Sequence, residues 1–197
     1  MKRSQTIATE STLNLSVALI HYPVFNKNGD IIASAVTNLD LHDISRAART
    51  YGLRSFYVVT PLTDQKELVK KIISHWVDGI GSRYNPKRRE ALELIRIKDS
   101  LNEVVEHIRS NNEESPKTVV TCASARDNFR SVSFGKFREM LHSGRPYLLL
   151  FGTGWGFTEN FIADADYILE PIKGNTNYNH LSVRSAAAIV LDRLLGV

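Results

Sequence analysis

Apolar residues are distributed along this chain in two recurring patterns. Short unbroken runs cover Leu15 to His21, Ile31 to Val36, Ser55 to Thr60, Thr118 to Ala123 and Tyr147 to Phe151, with a briefer one at Tyr167 to Leu169. Such runs, bounded by turn-forming residues, predict strands buried on both faces. Between them the spacing becomes helical. Leu41, Ile44, Ala48 and Tyr51 form one apolar stripe, Thr63 to Val77 gives a second helix, and Phe134 to His142 a third. From Leu181 or Ser182 onward, Val183, Ala187, Val190 and Leu194 share a face, with Asn179 or Ser182 as the cap. Asn85-Pro86 reads as an N-cap followed by proline at the first helical position. It opens a long helix to about Arg109, with Leu94, Ile97, Leu101, Val104 and Ile108 facing the core.

Strands alternating with helices predict an α/β fold, a mainly parallel sheet flanked by helices. Asn26-Lys27-Asn28-Gly29-Asp30 joins the first two strands, and Asn111 to Lys117 is a polar connector. With 197 residues, 43% of them hydrophobic, the chain can bury a sizeable core, so a single domain over residues 1–197 is expected. The lone Cys122 rules out an intramolecular disulfide and reads as a strand residue. No apolar run is long enough to span a membrane, and the opening MKRSQTIATESTLN lacks the apolar stretch of a signal peptide, which points to a cytoplasmic protein.

A net charge of +4 favours an anionic partner. Lys87, Arg88 and Arg89 crowd the first turn of the helix that opens at Pro86, where each cation opposes the macrodipole by about 0.3–1 kcal/mol. An RNA phosphate would account for that choice. So would a solvated face eased by an Arg89–Glu93 pair.

Chemistry concentrates near the carboxy terminus. The apolar run Tyr147 to Phe151 stops at Gly152-Thr153-Gly154-Trp155-Gly156, and Tyr167 to Leu169 stops at Glu170-Pro171-Ile172-Lys173-Gly174. In open α/β sheets, ligands bind beyond the carboxyl ends of strands, so two side-chain-poor loops in succession predict a crevice. The glycines match neither GxGxxG nor a phosphate loop, and taken alone they also read as plain turn residues. No His/Cys/carboxylate spacing suits a metal.

The arrangement resembles the SPOUT, or α/β-knot, family of RNA methyltransferases. LLLFGTGWGF is similar to the family's second motif, and LEPIKGNTNYNHLSVRSAAAIVL to its third. Asp40 to Arg46 followed by Tyr51-Gly52 is similar to the first, with Arg46 at the arginine spacing. The chain departs from the pattern at Asp40 and His180, where asparagines are usual, and at Trp155, in place of an acidic residue. These departures place it in a divergent branch.

The resemblance implies a C-terminal trefoil knot, S-adenosylmethionine as cofactor, and a homodimer whose site draws on both subunits. By analogy, Phe151, Gly152, Thr153, Gly156, Ile172, Gly174 and Leu181 hold the cofactor, with Thr121 and Ala123 from the preceding strand end. Arg46 would orient the acceptor or stabilise charge rather than act as a base, because a guanidinium stays protonated. Ser182 and His180 are candidates for proton relay, although Ser182 also fits as a helix cap and His180 as a turn residue. The implied partner is RNA, with tRNA the first choice and Lys87, Arg88 and Arg89 as contacts. The guanine-N1 enzymes of the family carry a further domain that supplies a carboxylate base. This chain ends at Val197, directly after the terminal helix, so a ribose 2′-hydroxyl is the expected acceptor. Two rivals remain: a non-catalytic RNA-binding or assembly protein that keeps the cofactor fold, and another nucleotide-binding α/β transferase.

Overall fold

A computed structural model describes residues 13–124 and 130–197. Residues 1–12 of the polar opening lie outside them. Strands β1 (Leu15–Ile20), β4 (Phe56–Val59), β5 (Ile95–Lys98), β6 (Lys117–Thr121), β7 (Ser131–Val132), β8 (Tyr147–Gly152) and β9 (Tyr167–Leu169) form one sheet in the order β5-β4-β1-β8-β6-β9-β7. Every pairing in it is parallel. A separate antiparallel ribbon joins β2 (Val24–Phe25) to β3 (Ile31–Ile32). The helices are α1 (Asn38–Thr50), α2 (Thr63–Val77), α3 (Ile80–Tyr84), α4 (Pro86–Leu92), α5 (Leu101–Asn112), α6 (Phe134–Leu141), α7 (Glu159–Ala163) and α8 (Val183–Leu195).

Both faces of the sheet are covered, and the two-residue period of a strand divides its side chains between two cores. Leu15, Val17 and Leu19 of β1, with Tyr147, Leu149 and Phe151 of β8, pack with Leu41 and Ile44 of α1, Phe137 of α6 and Leu191 of α8. Ala18, Ile20, Leu148 and Leu150 point the other way, onto Val104 and Ile108 of α5 and Ile162 of α7. Each large aliphatic or aromatic side chain buried in this way contributes about 1.5–3 kcal/mol, which makes β1 and β8 the rigid centre of the molecule.

Two expectations are corrected. The long helix from Pro86 to about Arg109 is instead α4, β5 and α5. Ile95-Arg96-Ile97-Lys98 alternates at strand period, and β5 pairs with β4 through Phe56↔Ile95 and Val58↔Ile97. Asp99-Ser100 then restarts a helix, with the Ser100 hydroxyl accepting the Glu103 N–H at 3.3 Å. The start of α4 is as expected, since Asn85 Oδ1 accepts the Arg88 N–H at 3.0 Å and Pro86 is at the first helical position. The second correction concerns Ile31 to Val36, which is a strand only over Ile31–Ile32. Beyond it, the Ser34 N–H donates to the His21 carbonyl and the Val36 N–H to Gln65 Oε1, so these donors are satisfied outside any ladder.

Candidate active site

After β1 the chain runs outward through β4 and β5, then crosses back to β6 on the far side of β8. The sheet therefore has a topological switch between β1 and β8, and a crevice forms where their following loops diverge. A cleft of about 560 Å³ lies there, beyond the carboxyl ends of β8, β6 and β9. This is within the roughly 300–1,000 Å³ of small-molecule sites. Phe151, Ile162, Leu169, Leu181 and Val190 make its apolar surface, and Ser34, Thr37, Asp40 and Arg184 close the side nearest α1.

The loop after β8 is held by the protein itself. Trp155 N–H donates to the Phe25 carbonyl and Phe25 N–H to the Gly156 carbonyl, both at 2.9 Å, so the β2 ribbon clasps the loop from behind. Gly154 has φ +59° and a Cβ there would lie 2.7 Å from the Phe25 carbonyl oxygen, so only glycine allows this approach. A Cβ on Gly152 would meet the Phe157 ring at 3.2 Å. Gly152 and Gly154 thus answer to internal packing, whereas a Cβ on Gly156, at φ +98°, would meet nothing within 4 Å. The other two walls are tied to each other, because Asn179 Nδ2 donates to the Ala123 carbonyl at 2.5 Å. Ser182 caps α8 by accepting the Ser185 N–H, and the two hydroxyls lie 2.9 Å apart.

Beneath the β8 loop runs a buried polar chain. The Thr153 hydroxyl lies 3.0 Å from the Ile20 carbonyl and 2.5 Å from Ser34 Oγ, which in turn lies 2.9 Å from His21 Nδ1. Each hydroxyl has one proton, so all three bonds form only if Thr153 donates to the carbonyl, Ser34 donates to Thr153, and His21 donates through Nδ1. His21 Nε2 is then a bare lone pair, buried and without a partner. Burial lowers the His21 pKa from 6.5 to about 4 despite the opposing pull of Asp40, so the ring is neutral at physiological pH.

Asp40 is buried at the cleft edge, where it accepts the Thr37 hydroxyl at 2.6 Å and faces Arg184 Nη1 at 3.3 Å. Arg184 also lies 3.6 Å from Asp43, which ties the start of α8 to α1.

Of the residues anticipated from sequence, Thr121, Ala123, Phe151, Gly152, Thr153, Gly156, Ile172 and Leu181 line the cleft, together with His180 and Ser182. Gly174 is exposed and does not. Arg46 projects from the exposed side of α1, outside the cleft of its own chain. Lys87 pairs with Glu90 at 3.1 Å and Arg89 with Glu93 at 2.8 Å, while Arg88 folds over the Trp76 ring at 4.5 Å. Sequence reasoning missed His21, Ser34, Thr37 and Arg184 as parts of the site, and noted Asp40 only as a departure from a motif.

Comparison with known proteins settles the class. A family model described as SAM-dependent RNA methyltransferase matches residues 14–196. The chain belongs to that family. It is 46% identical over 183 residues to a tRNA (guanine-N(1)-)-methyltransferase of Nitratidesulfovibrio vulgaris, covering 93% of this chain and 42% of that protein. It is 41% identical over 182 residues to an uncharacterized protein of Aquifex aeolicus, covering 92% of this chain and 88% of the other. The chain thus spans less than half the length of the tRNA methyltransferases it matches. Among solved structures, a probable methyltransferase from Bordetella pertussis superposes with a TM-score of 0.63 at 14% identity, over 95% of this chain and 97% of that one. The SpoU methyltransferase AviRb from Streptomyces viridochromogenes, in complex with AdoMet, gives 0.56 at 18% identity, over 91% and 56%. The fold is the α/β fold of SPOUT methyltransferases.

S-adenosylmethionine is the methyl donor of such an RNA methyltransferase, and the cleft suits it. Phe151, Leu169, Leu181 and Val190 offer an apolar surface for an adenine, and Glu170, exposed at the cleft, supplies negative charge that sulfonium and ammonium groups attract. Among the described residues, no group of three or more His, Cys, Asp or Glu comes together to hold a metal. No helix among them is long and apolar enough to cross a membrane.

Proposed function

We propose that this RNA methyltransferase acts on tRNA, transferring a methyl group to a ribose 2′-hydroxyl, and that it works as a homodimer around the family's trefoil knot. The observation that carries the reading is the cleft at the β1/β8 switch, with the two loops anticipated from sequence forming its walls. S-adenosylmethionine supplies an activated methyl group when bound. The chain contributes geometry. Phe151, Gly152, Thr153, Gly156, Thr121, Ala123, Ile172 and Leu181 hold the donor and exclude water, so that the acceptor oxygen meets the methyl carbon in line. Ser182 and His180 line the same cleft as the candidates for relaying the acceptor's proton. Gly174, outside the cleft lining, is kept only as a turn residue of that loop.

Arg46 lies outside the cleft of its own chain, which supports a site completed by a second copy. Its planar, permanently charged guanidinium suits it to orienting the acceptor and stabilising charge. The ribose reading draws support from the carboxylates. Taking a proton from a base nitrogen calls for a free carboxylate, and among the described residues lining the cleft Asp40 is bonded to Thr37 and Arg184 while one oxygen of Glu170, Oε1, accepts the Phe134 N–H at 2.6 Å. A second reading, methylation of guanine N1, is favoured by the name of relatives of which this chain covers 42%.

The test incubates the protein with labelled S-adenosylmethionine and bulk tRNA, then digests the RNA and identifies the nucleoside by mass spectrometry. A 2′-O-methylated nucleoside supports the reading. Recovery of 1-methylguanosine overturns the acceptor in favour of the second reading, and RNA binding without label transfer overturns the catalytic role.

A further inference from the structure

Four helices converge on the indole of Trp76, near the end of α2. His42 of α1 and His75 of α2 meet the ring edge-on, with centroids 5.4 and 5.1 Å away. A Cβ on Gly81 of α3 would stand 2.7 Å from Trp76 Cε3, so that short helix closes directly onto the ring. Arg88 of α4 lies over its face at 4.5 Å. The indole is clamped in place, and it holds the guanidinium with it.

Charge pairing separates Arg88 from its neighbours. Lys87 and Arg49 both reach Glu90, and Arg89 reaches Glu93. Arg88 and Arg46 have no ion pair among the described residues. Arg88 Nε and His42 Nδ1 are also buried without a hydrogen-bond partner. Both guanidiniums stand close to His42. Burial lowers the pKa of that imidazole first, Arg88 and then Arg46 lower it further, and Asp43 opposes them. Asp43 itself is drawn to Arg184 at 3.6 Å. Two cations therefore act on that ring against the single opposing carboxylate of Asp43, neither of them in an ion pair among the described residues, and the Nε of Arg88 is buried without a partner.

We propose that Arg88, braced on Trp76, binds a backbone phosphate of the substrate RNA on the same flank as Arg46, and that Lys87 and Arg89 take no part. The inference rests on RNA being the substrate. Arginine suits the task because its planar fork grips a phosphate while its face stays on the indole. Lys87 and Arg89 would first have to give up their glutamates.

The test measures binding of bulk tRNA across a range of salt concentrations. Arg88→Gln weakens binding several-fold and reduces the slope of log K against log salt by about one, the increment of a single phosphate contact. Arg88→Lys keeps the slope, and the Lys87→Gln, Arg89→Gln double variant keeps both slope and affinity. Unchanged affinity for S-adenosylhomocysteine certifies that Arg88→Gln is folded. If it fails that control, Arg88→Leu, which keeps aliphatic packing on Trp76, replaces it in the comparison. A wild-type slope in the neutral Arg88 variant, or an equal loss in the double variant, overturns the inference while leaving RNA methylation standing. Failure of the wild-type protein to bind tRNA at all overturns both.

Discussion

Protonating His21 should destabilise this protein from beneath the loop that follows β8, and the size of the effect can be worked out in advance. The ring is fully buried, its Nδ1 proton is committed to Ser34, and its Nε2 is without a hydrogen-bond partner. Its pKa falls to about 4 in the folded protein from the ordinary 6.5. The unfolded chain therefore binds the proton first as pH drops, so the stability that neutral His21 provides is complete above about pH 6.5 and lost progressively toward pH 4. Integrated over that window, the linkage amounts to about 2 kcal/mol between pH 7 and pH 5, and about 3 kcal/mol by pH 4. His21→Asn removes the titration but keeps a donor for Ser34, since the amide Nδ2 can take the place of Nδ1. Urea unfolding of both proteins at several pH values gives two stability curves. Carboxylates and other histidines contribute equally to each, so the gap between the curves isolates position 21. The wild-type curve should fall toward the variant's on acidification, closing the gap by about 2 kcal/mol between pH 7 and pH 5. Parallel curves would refute the assignment of a neutral, single-tautomer histidine under the loop.

Gly154→Ala forces a Cβ onto the Phe25 carbonyl at a positive φ. It should lose about 1–3 kcal/mol of stability together with S-adenosylhomocysteine affinity, and a variant that binds normally in calorimetry contradicts the clasped loop. Arg184→Met leaves the buried Asp40 carboxylate with Thr37 alone and should lower stability by about 1–3 kcal/mol in thermal denaturation, whereas an unchanged midpoint would mean the pair carries nothing. Arg46→Ala should keep S-adenosylhomocysteine binding and lose turnover on RNA by about a hundredfold or more, and normal turnover would remove Arg46 from the mechanism.

The parts of the fold that were legible in the sequence are those whose stabilisation is local or self-evident in composition. Helix α2 spans the same Thr63–Val77 read from spacing, and β9 the same Tyr167–Leu169, because each is bounded by turn residues at both ends. Strand β5 was misread because Leu94, Ile97 and Leu101 also satisfy helical spacing, and only its pairing with β4 decides between the two. A closer look at Asp99-Ser100 would have exposed the interruption, since a serine ahead of Leu101 is a helix start. The two loops that line the cleft were legible because glycines and small residues are a chemical signal in themselves. The His21–Ser34–Thr153 chain was not, since its members are 13 and 119 residues apart. Its one trace in the sequence is a histidine closing an otherwise apolar strand. The basic cluster at Lys87 was visible as composition, but which cation stays unpaired depends on where Glu90, Glu93 and Trp76 lie in space.

Strand β8 keeps six residues in register with β1 and four with β6, while alternate side chains serve opposite cores. Deleting one residue there would exchange Leu148 and Leu150 with Leu149 and Phe151 and pull Thr153 by one strand rise, about 3.3 Å, away from Ser34. Length changes in this strand are therefore closed to the lineage as well as to the engineer. Insertions and tags belong instead at the solvent-facing Asn26–Gly29 bend, where an added residue displaces no side chain of either core.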